Sequence, residues 1–321
     1  MANVLIIKLG ALGDVIMATP IIKQLQHHHA NDKLWLLTTT SYLNLFKNWE
    51  NLQVAAFSRK GFFSIYSAVC WIRQHKFEIL YDLQSNDRTS IISALSGIPK
   101  RVGNHPRFPY HLSPDEPYVG QCHAYERLNQ ILISADIEPS HELPQLPVAH
   151  EAMLHVKKWL DVTGLASARF VLLHAGASLK HVAKRWPYFL DLALELQSKG
   201  FKVVWIGADD DSEINRALAA RIGIDATSLF DVTELLELGK HACFAVTNDS
   251  APMHILSCSN IPVFGLFGPT NWRRTHALGQ QRRVITPTAD INSQSDTFKP
   301  LALDKLSVHH VLERLNNDGL I

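Results

Sequence analysis

Val4-Leu5-Ile6-Ile7-Lys8-Leu9-Gly10-Ala11-Leu12-Gly13-Asp14 is the stretch that decides the fold of this chain. Its apolar run is too short for a helix and is closed by glycines, which is how a strand buried on both faces reads. A helical pattern follows as far as about His29. The same theme returns at residues 34–38 and 78–83, with helical stretches at 65–74 and 89–96. Strands alternating with helices require crossover connections and therefore a parallel sheet. A loop rich in Pro, Gly and His covers residues 97–120, and a helix spans 123–134. Pro139, Pro144 and Pro147 then mark a linker,. Alternation restarts with a helix at 149–159, strands at 170–174, 202–206, 242–247 and 262–266, and helices at 188–198, 212–222, 233–240 and 252–258. A last helix, near 304–315, closes the chain and is expected to pack back on the first domain. The reading is α/β, with two domains over residues 1–150 and 151–321. Ligands in such sheets bind at the carboxyl ends of the strands, so a cleft between the two sheets is the expected site.

Composition agrees. The chain has 321 residues, 46% of them hydrophobic and 19% charged, which is the balance of a packed globular protein and not of a disordered one,. Thirty-one Lys+Arg against 30 Asp+Glu leave a formal charge of +1, so the broad positive field of a general nucleic-acid binder is absent,. Cys70, Cys122, Cys243 and Cys258 share no C-x-x-C spacing, which argues against a zinc site and a disulfide framework and fits a reducing cytoplasm,. Lys8 and Asp14 interrupt the first apolar run, and no later stretch reaches spanning length, so neither a signal peptide nor a membrane span is expected,. The 17 histidines include no zinc-binding spacing, and no G-x-S-x-G is present,.

Three turns carry the chemistry. The first, residues 8–14, has Gly10 and Gly13 between strand and helix but lacks G-x-G-x-x-G, which counts against a nicotinamide enzyme,. Asp14 reads either as the helix N-cap or as a general base. The second is His174-Ala175-Gly176-Ala177-Ser178 followed by Lys184-Arg185-Trp186-Pro187. Small residues there admit an oxyanion close to the main chain, and Lys184 could place an ammonium on a diphosphate; the plain alternative is a solvated surface loop. The third is Thr247-Asn248-Asp249-Ser250-Ala251-Pro252-Met253-His254, where Asp249 or Ser250 caps a helix and Pro252 suits its first turn,. Phe267-Gly268-Pro269-Thr270 ends the next strand.

Together these segments resemble glycosyltransferase family 9, the ADP-heptose:lipopolysaccharide heptosyltransferases. The K-x-G-x-x-G-D start, the small loop with K-R-W-P, N-D-S-x-P-M-H and F-G-P-T stand in the family's order, and Tyr81-Asp82-Leu83-Gln84 and His123-Ala124-Tyr125-Glu126-Arg127 look like its first-domain segments. The resemblance implies the GT-B fold, two Rossmann-like domains with parallel sheets facing a central cleft, acceptor on the first and nucleotide sugar on the second. It places Asp14 at the catalytic base. It places Ala177, Ser178, Lys184, Asp249, Ser250, Ala251 and His254 at the nucleotide sugar, with Asp211, or Glu213 beside it, at the ribose. Ala251 stands where the family's turn usually has glycine, and Gly10-Ala11 and Ala177-Ser178 depart from the hydroxyl-bearing sequences of heptosyltransferase I-like members.

The acceptors of this family are anionic lipid-linked sugars, so the resemblance directs Lys8, Gly13, Arg59, Lys60, Arg88 and Arg101 to the acceptor, with Arg107 a further candidate. The same surface is expected to make peripheral contact with the inner membrane. The implied reaction is inverting transfer of heptose from ADP-heptose to the Kdo/heptose inner core of lipopolysaccharide, with no metal and no cofactor besides the donor substrate. A transferase of another nucleotide sugar, a sugar-nucleotide epimerase of the same fold, and a non-catalytic nucleotide binder are the competing readings.

Overall fold

The computed structural model describes residues 1–58, 63–104, 106, 108–116, 122–287 and 298–321. The chain divides into two units, Met1–Pro147 and Val148–Ile321.

In the first unit the elements run β1 (Asn3–Ile7), α1 (Leu12–Met17), α2 (Thr19–His28), β2 (Lys33–Thr39), β3 (Gln53–Phe57), α3 (Phe63–Gln74), β4 (Ile79–Asp82), α4 (Asp87–Leu95), β5 (Lys100–Val102) and α5 (Ala124–Ile133). The sheet is parallel throughout, in the order β3-β2-β1-β4-β5. β1 is central and its Val4, Leu5, Ile6 and Ile7 are wholly buried, as an apolar run covered on both faces must be,. Strand order reverses between β1 and β4, and the crevice beyond the carboxyl ends of those two strands is where an open α/β sheet takes its ligand,.

The single helix expected after the glycine turn is two. Pro20 lacks the N–H that would reach the Ile16 carbonyl, and the Thr19 hydroxyl donates to that carbonyl instead, at 2.8 Å,. The chain turns at Ala18, which closes α1 and opens α2.

The second unit contains α6 (His150–Thr163), β6 (Phe170–His174), α7 (Phe189–Ser198), β7 (Lys202–Trp205), α8 (Ser212–Ala219), β8 (Ile224–Asp225), α9 (Val232–Gly239), β9 (Ala245–Asn248), α10 (Ala251–Ser257), β10 (Val263–Leu266), α11 (Trp272–Thr275), β11 (Val284–Ile285) and α12 (Val308–Asn317). Its sheet is also parallel, in the order β11-β10-β9-β6-β7-β8, with the reversal between β6 and β9. Val171, Leu173, Trp205, Phe244 and Phe264 form the centre of the core. α12 closes the second unit. Val308, Val311, Leu312 and Leu315 make a stripe at helical spacing, and this stripe packs into the core of the second unit, with Val311 and Leu315 fully buried,. Burying those two side chains stabilises that unit by about 2 kcal/mol each. Among the described residues, no helix is long and apolar enough to cross a membrane.

Candidate functional site

At the switch point of the first sheet, the glycine turn is held by Gln84. Its Oε1 accepts from the Leu9 and Gly10 amides, both at 3.1 Å. Gln84 is fixed in turn by Asp82 at the end of β4. One Asp82 oxygen accepts from the Gln84 and Ser85 amides at 3.0 and 2.8 Å, and the other from the Tyr110 hydroxyl at 2.6 Å. Asp82 is wholly buried, and burial pushes its carboxyl above the usual range despite these three donors,.

Asp14 is not the N-cap of α1. That position is Ala11, whose methyl cannot cap, and Asp14 sits three residues in with Oδ2 accepting from the Ala11 amide at 3.3 Å. This is the reciprocal half of a capping box, and it leaves the other carboxylate oxygen without a capping duty. Lys8 is buried beside it, its ammonium donating to the Leu83 carbonyl at 3.1 Å. Burial pulls the Lys8 ammonium below its ordinary value, while the charges of Asp14 and Asp82 work against that shift. Gly13 is buried in α1.

The other acceptor candidates divide. The Arg88 guanidinium donates to the Ser64 hydroxyl and is half-buried. Arg101 is spent on its own loop, with Nε donating to the Pro109 carbonyl at 2.9 Å and Nη1 to the Ile98 carbonyl. Arg59, Lys60 and Arg107 lie outside the described residues.

In the second unit the sequence turns come together at the switch point. Asn248, the last residue of β9, is the tie. Its Nδ2 donates to the carbonyls of Ala175 and Gly176, both at 2.9 Å, and its Oδ1 accepts from the Trp186 amide at 3.1 Å. One side chain therefore joins the turn after β6, the K-R-W-P segment and the turn after β9. Lys184 donates to Asp249 Oδ2 at 2.7 Å, and Thr270 of the F-G-P-T turn donates to the same oxygen at 2.7 Å. Ala177, which is buried, accepts from Arg185 at 3.0 Å through its carbonyl. Ser178 is exposed at the end of the small loop.

Ser250 occupies the N-cap of α10 yet makes no side-chain capping bond. Its hydroxyl lies 3.0 Å from His174 Nδ1 and 3.2 Å from the Asn248 carbonyl. Ala251 is the first residue of α10 and is not among the residues of positive φ, so replacing the family's glycine there strains nothing,. His254 lies one turn further on and is buried.

Asp211 is 5% exposed beneath the small loop. Its Oδ2 accepts from the Ala208 amide at 3.1 Å and faces His174 Nε2 at 3.3 Å. Burial acts to raise this carboxyl, but the His174 hydrogen bond and charge, the Ala208 amide and Arg185 outweigh it and leave it below the usual range. A Cβ on Gly176 would lie 1.8 Å from Asp211 Oδ1, so glycine is what admits the carboxylate there. Glu213, the neighbouring acidic residue, is exposed on the first turn of α8.

Gln84, Asn248 and Thr270 carry no predicted role in the sequence reading, although each falls inside or beside a quoted motif. Their signal is positional: a polar side chain at or just beyond the carboxyl end of a strand that lies at the reversal of strand order or, for Thr270, one strand from it,.

The lipopolysaccharide heptosyltransferase 2 of Escherichia coli K12 is 27% identical over 237 residues, 67% of this chain and 66% of that protein. The match thus spans just under two thirds of that relative's length. A family 9 glycosyltransferase from Veillonella parvula aligns over 98% of this chain and 96% of its own, with a TM-score of 0.84 and 19% identity. The ADP-heptose LPS heptosyltransferase II of E. coli aligns over 98% of both chains, with a TM-score of 0.76 and 19% identity. The fold shared with these structures is the α/β, GT-B class that the sequence implies. The model of glycosyltransferase family 9 (heptosyltransferase) matches residues 69–302, most of the chain, and the protein belongs to that family.

Proposed function

We propose that the chain transfers heptose from ADP-heptose to the Kdo/heptose inner core of lipopolysaccharide, with inversion at the anomeric carbon, no metal, and Asp14 as general base. The observation that carries this reading is the convergence of three separate turns at the switch point of the second sheet, tied by Asn248 and by the Lys184–Asp249–Thr270 contacts. A donor diphosphate is the ligand that such a set of turns suits. The names of the relatives supply the sugar and the nucleotide.

In the reaction, an acceptor hydroxyl attacks the anomeric carbon while the bond from that carbon to the β-phosphate oxygen breaks. The hydroxyl proton passes to Asp14, and the bonding pair leaves with ADP. Single displacement needs one base on the face opposite the leaving group, which is the logic of inverting glycosidases. Lys184 has three N–H donors and Asp249 takes two contacts, Oδ2 at 2.7 Å and the carbonyl at 3.4 Å, so one donor is left for the departing diphosphate,. Ser250 and the small loop at Ala177–Ser178 complete the diphosphate site, with Ala251 and His254 on the same turn. Asp211 lies beneath the loop, Glu213 is the exposed acidic residue beside it, and the ribose is assigned to this pair. Lys8, Gly13 and Arg88 serve the anionic acceptor, and the chain works at the cytoplasmic face of the inner membrane.

The test is incubation of the purified chain with ADP-heptose and Kdo-bearing lipid A, with and without EDTA, followed by mass spectrometry of the lipid and NMR of the new anomeric centre. Addition of one heptose, unaffected by EDTA and of inverted configuration, is the expected result. Transfer from another nucleotide sugar only would discard heptose, and transfer abolished by EDTA would discard the metal-free mechanism.

A further inference from the structure

The hydroxyl of Ser250 has one proton and two acceptors within reach, His174 Nδ1 at 3.0 Å and the Asn248 carbonyl at 3.2 Å. As the N-cap of α10, a serine ordinarily turns its oxygen to its own helix, and this one does not,. His174 is 2% exposed, so its two ring nitrogens depend on protein partners, and Asp211 Oδ2 faces the other one at 3.3 Å. Asp211 is itself buried, and its Oδ1 has no hydrogen-bond partner. Serine, histidine and aspartate are thus in series, from the turn that opens α10 down to the floor of the small loop.

Hydrogen-bond accounting allows two states of this series. With a neutral ring, Nε2–H donates to Asp211, Nδ1 must accept, and the Ser250 proton is held by the histidine. With an imidazolium, Nε2–H still donates to Asp211, Nδ1–H donates to Ser250 Oγ, and the serine proton is released for the Asn248 carbonyl or for an oxygen of a bound ligand. Only the second state offers Ser250 as a donor to an anion, and it adds a positive charge beneath the loop.

We propose that His174, held by Asp211, is a positioning residue that takes up a proton from solvent as the donor's diphosphate binds, and so turns the Ser250 hydroxyl toward the diphosphate. The inference rests on the donor assignment made above and adds a proton to it. Asp211 faces the ring at 3.3 Å; the other charged or titratable groups on the elements around it are Asp209 and Asp210 on the same turn, Arg185, Lys184 paired with Asp249 on the turn before α10, His254 on α10, and Glu213 and Arg216 on α8. A diphosphate arriving above the loop favours a positive ring beneath it, and by linkage that ring strengthens binding.

The test is calorimetric titration of the full chain with ADP-heptose between pH 6 and pH 9, in buffers of different ionisation enthalpy. Both phosphates of ADP-heptose are esterified, so the ligand has no group titrating near neutrality, and any proton taken up belongs to the protein. The wild type is expected to take up a substantial fraction of a proton on the alkaline side, where its affinity falls by up to about tenfold per pH unit. His174→Gln, whose amide mimics the neutral ring, should bind at the wild type's weak alkaline limit with no proton uptake. Ser250→Ala removes the hydroxyl that the ring turns and should lower the proton uptake, leaving only the part due to the ring's charge; being at a helix terminus it also serves where His174→Gln fails to fold, and undiminished uptake in it overturns the inference. Binding by the wild type with no proton uptake at any pH overturns the inference and leaves the donor assignment standing, as does unchanged uptake in His174→Gln. A wild type that binds no ADP-heptose at all overturns both.

Discussion

Asn248→Ala removes the side chain that joins three segments of the second unit. Asn248 is wholly buried, and its amide makes three bonds, two as donor and one as acceptor. Each such bond contributes about 1 kcal/mol net, but the partners are main-chain groups of Ala175, Gly176 and Trp186 that the substitution leaves in place. A buried group that loses its partner costs about 1–3 kcal/mol. With some recovery by water entering from the loop side, the loss comes to about 4 kcal/mol, a large share of the roughly 5–15 kcal/mol that holds a domain folded. At a denaturant slope of about 2.5 kcal/mol/M, the urea midpoint of the second unit should fall by about 1.5 M. Tryptophan emission follows this unfolding through Trp186 and Trp205, both in the core of that unit. Hydrogen exchange by mass spectrometry supplies the local view, because the Trp186 amide loses its acceptor and should lose protection. Asn248→Asp separates hydrogen bonding from packing. It is nearly isosteric and still accepts from Trp186, but it turns an oxygen toward two carbonyls and should destabilise at least as much as alanine. A loss below about 1 kcal/mol in Asn248→Ala, with the Trp186 amide still protected, would refute the claim that this side chain ties the turns together.

Gly176→Ala should destabilise the second unit by about 2 kcal/mol and weaken donor binding, since the new methyl displaces the Asp211 carboxylate from His174,; an unchanged urea midpoint would contradict the close packing at Oδ1. Lys184→Ala leaves the buried Asp249 with Thr270 alone, costing about 2 kcal/mol of stability, and should raise the donor Kd at least tenfold by calorimetry,. Asp14→Asn should lower kcat about 10²–10⁴-fold with the donor Kd unchanged, measured by ADP release; normal turnover would remove Asp14 from the mechanism. Asp82 gives a pH prediction. Its carboxyl is raised by burial above its ordinary 3.8, so the stability it contributes is full below that pH and is lost as the pH rises through its native value,. Asp82→Asn can keep the amide contacts and pair with Tyr110, so its stability relative to wild type should improve as the pH rises from 4 toward 8, read from urea midpoints of the first unit.

The architecture was legible in the sequence where elements are buried on both faces. β1, β4, β6, β7, β9 and β10 are continuous apolar runs between turn residues and stand where the pattern puts them, within a few residues. The strands without such a pattern are the marginal ones. β3 reads Gln-Val-Ala-Ala-Phe and lies at one edge, mostly half-buried, and β5, β8 and β11 have only two or three residues each. Their pairing comes from neighbours far along the chain, which local periodicity does not encode. The break between α1 and α2 was readable from Pro20, but a proline in a first turn and one in an interior look alike until the previous helix is known to end at Ala18. In the site, glycines and charged residues announce themselves by type, and so Lys184, Asp249 and Ser250 stand out in the sequence. What could not be read is who holds whom. Asp249 faces Lys184 across 65 residues, and Asn248 reaches Gly176 across 72. Those pairings follow from the sheet order β9-β6, which only the folded chain supplies.

The Lys184–Asp249 pair has a consequence for turnover. The ammonium already has an anion of the chain's own beside it, Asp249 Oδ2 at 2.7 Å. Under the function proposed above, a nucleotide diphosphate shares Lys184 with a carboxylate that never leaves, and its affinity is the difference between two anions' claims on one cation. That difference is smaller than the attraction of a bare ammonium would be, for the incoming donor and for the spent nucleotide alike. On that proposal Asp249 keeps its two contacts throughout and only the third N–H passes to the phosphate, so the same two side chains that make the capture also ease the release.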